Sequence, residues 1–114
     1  MEYFSFLLPV MRLVDTPRLV AFYHPKPDYP VHILIVPKKK IRDFVELGKQ
    51  EDDFSVQFMQ DLFRCVSKLI SELDLDRAGY RLIVNGGKYQ EVEEVHFHLV
   101  SGIRREKRID SLEH

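Results

Sequence analysis

The segment Gln90-Glu91-Val92-Glu93-Glu94-Val95-His96-Phe97-His98-Leu99-Val100-Ser101-Gly102 holds the residues best suited to chemistry. Side chains of an extended strand alternate between its faces, so Glu94, His96 and His98 project one way and Val95, Phe97 and Leu99 the other. The apolar set can pack on a core and leave a carboxylate and two imidazoles to line a site. Near neutral pH an imidazole can act as nucleophile, proton carrier or metal ligand. The spacing alone equally suits two exposed strand histidines. His32 lies in the run 31–36, on one face with Leu34 and Val36, which predicts partial burial and a need for hydrogen-bond partners on a neighbouring strand. A satisfied structural histidine is the simpler expectation there. Asn85, ahead of Gly86-Gly87, can offer its amide to a phosphate or sugar, or cap a turn. Glu94, His96, His98 and His32 are also zinc-ligand types. Ligands two residues apart on a strand converge only in particular rotamers, and no distant acidic ligand is identifiable, so no metal or other cofactor is assigned.

These residues need a sheet to position them. Residues 10–14 and 19–23 read as strands joined through Asp15-Thr16-Pro17. Pro25, Pro27 and Pro30 then impose a loop before the strand 31–36, which Pro37 closes. Lys38-Lys39-Lys40 reads as a solvated strand end. Asp52 or Asp53 can cap a helix in which Phe54, Phe58, Leu62, Val66, Leu69, Ile70 and Leu73 recur at three- and four-residue spacing. Met59, Phe63 and Cys65 widen its apolar face and are expected to pack in the core. Residues 80–85 and 95–100 supply two further strands. The expected class is α+β, an antiparallel sheet packed against one long helix.

The chain's 114 residues suit one domain, expected over 1–111, with 112–114 read as a tag remnant. Apolar residues at 45% and charged residues at 31% argue against extensive disorder. Lys and Arg total 17 against 18 Asp and Glu, and this balance speaks against a nucleic-acid-coating or membrane-surface protein. Cys65 has no second cysteine to bond, the N-terminal apolar run lacks the basic flank of a signal peptide, and no run approaches the roughly 20 apolar residues of a spanning helix. A cytoplasmic protein with no membrane partner is the expectation.

With these residues in view, the sequence resembles the histidine-triad (HIT) family over most of its length. Leu19-Val20-Ala21-Phe22, the Pro-rich loop and Pro30-Val31-His32-Ile33-Leu34-Ile35-Val36-Pro37-Lys38-Lys39 are similar to the family's first strands, and Tyr80-Arg81-Leu82-Ile83-Val84-Asn85 to a later one. Gln90 sets the register, with His96 at the family's middle, nucleophilic histidine and His98 at its third. The resemblance implies a nucleotide phosphohydrolase or nucleotidyl transferase, usually homodimeric, in which His96 attacks the α-phosphorus. A backbone carbonyl on its other nitrogen would set the tautomer. His98 would stabilise charge on the phosphate, Asn85 and Gln90 would help hold the nucleotide, and His32 would support the cluster. Glu94 stands at the family's first histidine, Glu91 where a phosphate-contacting serine is common, and His24 where an acidic residue usually holds the ribose. The loop 85–90 is also shorter than the family's glycine-rich one. Two readings follow: an enzyme in which a protonated Glu94 replaces the first histidine as proton donor, or a noncatalytic nucleotide- or partner-binding module on the same fold.

Overall fold

A computed structural model describes residues 11–106. Five strands form one antiparallel sheet: β1 Arg12–Asp15, β2 Leu19–Tyr23, β3 Val31–Pro37, β4 Arg81–Val84 and β5 Phe97–Ser101, in spatial order β1-β2-β3-β5-β4. Helix α1 spans Phe44–Gly48, α2 Phe54–Glu72 and α3 Leu75–Ala78. The expected α+β class, with an antiparallel sheet against one long helix, describes this arrangement. The N-terminal apolar run and the residues read as a tag remnant lie outside the described residues.

The period-two alternation of β2, β3 and β5 divides the sheet into two unlike faces. Leu19, Ala21, Ile33, Ile35, Phe97 and Leu99 pack with Phe58, Leu62, Cys65 and Leu69 of α2 in the main core. Val20, Phe22, Leu34 and Val36 form a second buried cluster with Val92 packed against it. His32 belongs to this second face, opposite α2, because it alternates with Ile33 and Ile35. On the helix side, Phe58 is fully buried and its ring lies 5.9 Å from that of Phe97. Removing a ring at such a site typically costs about 3–5 kcal/mol. Phe97 thereby anchors the start of β5, whose other face carries His98.

Several features differ from expectation, among them Phe63, which is expected in the core and is 66% exposed. Strand β5 begins at Phe97, so Glu94 and His96 precede it in a turn-like segment held by the Val95 N–H donating to the Ile41 carbonyl at 2.9 Å. Helix α2 starts after Asp53, as the spacing predicts, yet Asp53 adopts a left-handed backbone conformation (φ 60°) and makes no side-chain cap bond. Helix α1 is an addition to the expected elements, and its start is marked in the sequence. The Asp43 carboxylate accepts from the Glu46 N–H at 2.9 Å as the N-cap, and the Glu46 carboxylate accepts from the N–H of Arg42, one residue before the cap, at 2.5 Å, a variant of the capping box carried by Asp43-x-x-Glu46. Within the described residues no helix is long and apolar enough to cross a membrane.

Candidate active site

Three adjacent strands place histidines on the face opposite α2. His24 follows β2 by one residue, His32 sits on β3 and His98 on β5. Register pairs His98 with Leu34 and His32 with Val100, so the two imidazoles are diagonal neighbours across β3 and β5. Their rings meet: His32 Nε2 and His98 Nδ1 are 2.9 Å apart. His24 stacks nearby, its centroid 4.5 Å from His32 and 6.4 Å from His98. His96 closes the row with its centroid 4.9 Å from His98.

The hydrogen bonds fix the tautomers of three rings. The Asp28 backbone N–H donates to His32 Nδ1 at 3.0 Å, so neutral His32 carries its proton on Nε2 and donates it to His98 Nδ1. Neutral His98 must then hold its own proton on Nε2, available to an oxyanion. His96 has the opposite tautomer. Its Nδ1–H donates to the Glu94 carbonyl at 2.8 Å, which puts the basic lone pair of the neutral ring on Nε2. Burial is the main reason His32 and His98 resist protonation. Each is pushed from 6.5 down to about 4, with neighbouring imidazoles adding to the effect. Both are neutral near pH 7.

A cavity of about 440 Å³ opens beside His98. His32, His98 and Asn85 line it, with Ile83 and Val100 from β4 and β5. Asp28, Tyr29, Lys88, Tyr89 and Arg104, none of them a candidate from the sequence, also line it, as does Glu91, which departs from the family pattern. No spacing rule links those positions, because loop packing brings them to the cavity. The remaining candidates stand elsewhere. The Gln90 side-chain amide donates to the Arg42 and Val92 carbonyls at 2.7 and 3.0 Å, tying the approach to β5 against the segment after β3. Glu94 is only 5% exposed and does not line the cavity; its carbonyl is what orients His96. His24 Nδ1 accepts from the Lys26 N–H at 2.9 Å. Among the described residues, no group of three or more His, Cys, Asp or Glu side chains is arranged to hold a metal ion.

Residues 8–105 match the HIT domain. The chain belongs to the HIT domain family. This HIT domain is 30% identical over 97 residues to an uncharacterised HIT-like protein of Helicobacter pylori, covering 83% of this chain and 86% of that one. It is 29% identical over 101 residues to an adenosine 5′-monophosphoramidase of Candida albicans, covering 82% and 62%. A HIT family hydrolase from Legionella pneumophila superposes with a TM-score of 0.71 at 32% identity, covering 87% of each chain. A histidine triad protein from Clostridium difficile gives 0.72 at 27% identity, covering 90% of this HIT domain and 88% of that chain.

Proposed function

We propose that this HIT domain binds a nucleotide or nucleotide conjugate and hydrolyses it, or transfers its nucleotidyl group, with His96 as nucleophile. The observation that carries this reading is the bond from His96 Nδ1 to the Glu94 carbonyl, because it presents the Nε2 lone pair beside a neutral His98 able to donate from its own Nε2. In the first step Nε2 bonds to phosphorus as the bond to the leaving group breaks, and the departing atom takes up a proton from solvent. Water then adds to phosphorus and returns a proton to solvent, and the P–N bond breaks to restore the His96 lone pair. Asn85 is positioned in the lining to hold a phosphate oxygen, and His32 keeps His98 in its donating tautomer. His24 is the candidate for the ribose side, and Gln90 acts through the loop it ties down. The amidase activity named for the Candida albicans relative supports a phosphoramidate as the first substrate to try.

The test is hydrolysis of adenosine 5′-phosphoramidate by the wild type and His96→Ala. Loss of the nucleophile should lower kcat roughly a thousandfold or more. Equal rates in the two proteins would remove His96 from the mechanism.

A noncatalytic nucleotide-binding or partner-binding module is the second reading, favoured by the Glu91 carboxylate in the same lining as His98. An ionised carboxylate there opposes an incoming phosphate. Nucleotide binding by calorimetry without turnover would select it.

We also propose a homodimer. Among the described residues β4 is an edge strand of the sheet, and such an edge offers backbone groups to a second copy. Beside it Phe63, Tyr80 and Leu82 are 66%, 46% and 41% exposed and line a common groove. The proposed location is cytoplasmic, supported by the lone, buried Cys65.

A further inference from the structure

Resting on the reading of His96 as nucleophile, we propose that the cavity beside His98 receives the leaving group, and that Arg104 selects leaving groups carrying an anion. In a displacement at phosphorus the leaving group departs opposite the attacking atom. The cavity is lined by His98 and not by His96, although the two rings are 4.9 Å apart, and this arrangement is the ground for giving it to the leaving group and not to the attacking ring. Its volume of about 440 Å³ is far more than one phosphoryl group fills. Ile83 and Val100 give it an apolar floor, and Tyr29 a wall packed edge-on to His32.

Two contacts build the position of Arg104. Gly102 has φ +94° and lies so close to Pro30 that a Cβ would stand 2.6 Å from the Pro30 Cγ. Three residues on, the Arg105 N–H donates to the Asp28 carbonyl at 2.5 Å. These fastenings lay the segment after β5 along the loop 28–30 and bring Arg104 to the cavity. Its charge reaches the centre, since it helps to disfavour protonation of His32. The lining also holds Lys88, Asp28 and Glu91, so its two cations and two carboxylates balance. An anion is therefore selected by direct contact with the guanidinium, not by the overall field. The shared chemistry is a carboxylate or phosphate on the leaving-group side of the reacting phosphorus.

Calorimetry with adenosine 5′-monophosphate and adenosine 5′-diphosphate tests the subsite without turnover. The wild type should prefer the diphosphate about fivefold, the upper end for a contact at an exposed arginine. Arg104→Ala should bring the ratio of the two affinities close to one, and Arg104→Lys should keep part of it. Binding of the monophosphate without a diphosphate preference, or a preference untouched by Arg104→Ala, would overturn the subsite and leave the nucleotide reading intact. Binding of neither nucleotide would remove both. A second arm separates the sources: kcat/KM for adenosine phosphoramidates of glycine and of glycinamide. A preference for the carboxylate that Arg104→Ala abolishes assigns the subsite to acidic amines. A diphosphate preference without it assigns the subsite to phosphate.

Discussion

Acidification puts protons on nitrogens that already accept hydrogen bonds. A proton entering His32 goes to Nδ1 and faces the Asp28 N–H, while one entering His98 goes to Nδ1 and faces the His32 Nε2–H. Each replaces a donor–acceptor pair with two donors, inside a region where His32 is 4% exposed. The unfolded chain meets no such conflict and takes a proton near 6.5, whereas folded His32 and His98 resist to about 4. Between those values the unfolded state binds more protons, so stability rises with pH. The contribution is complete above 6.5 and is lost as pH falls toward 4. Each pH unit is worth about 1.4 kcal/mol, so His32 alone should cost about 2 kcal/mol on going from pH 7 to pH 5, and about 3 kcal/mol by pH 4. The second ring adds less, because the pair shares one bond. Urea unfolding midpoints at pH 7 and pH 5 measure this, with the double variant His32→Gln, His98→Gln as the control that cannot titrate. The carboxylates of Asp15 and Asp43, held below 3.8 by Lys38 and by the α1 amide respectively, lose their stabilisation at lower pH and leave this window clear. Equal losses in wild type and control, or imidazole resonances of His32 and His98 titrating near 6.5 by NMR, would refute the argument.

Other substitutions probe the supports of the site. Asp61 on α2 accepts from Arg18 Nε at 2.9 Å and from Thr16 Oγ1 at 3.0 Å, and is 9% exposed. Asp61→Ala should cost about 2–3 kcal/mol by urea denaturation, and a loss below 0.5 kcal/mol would show that the network contributes little. Gly102→Ala forces both a strained φ and a clash with Pro30, so it should lower stability by about 1–3 kcal/mol. An unchanged melting temperature would mean that the segment after β5 is not fastened there. Phe63→Glu places a charge beside the β4 edge and should convert a dimer to a monomer in sedimentation analysis; a wild type already monomeric would remove the homodimer.

Local pattern was enough to indicate the core and the histidine face. Alternation in 31–36 and 95–100 separates Ile33, Ile35, Phe97 and Leu99 from His32 and His98, and burial enforces that division because a one-residue slip would expose the apolar set. The three- and four-residue spacing from Phe54 likewise determined α2. The family resemblance supplied His96 as the candidate nucleophile and anticipated a carbonyl on its second nitrogen, but could not name Glu94 as its source. Tertiary structure decided what depends on separate segments meeting. The Asp28 amide sets the tautomer of His32 and, through it, that of His98. Gln90 spends its amide protons on the chain between β3 and α1 and on Val92. Arg104 reaches the cavity because Gly102 packs on Pro30. Periodicity reports which face a side chain takes within one element. Which loop amide or terminal arginine meets that face depends on how distant segments close over it, and only the folded chain fixes that.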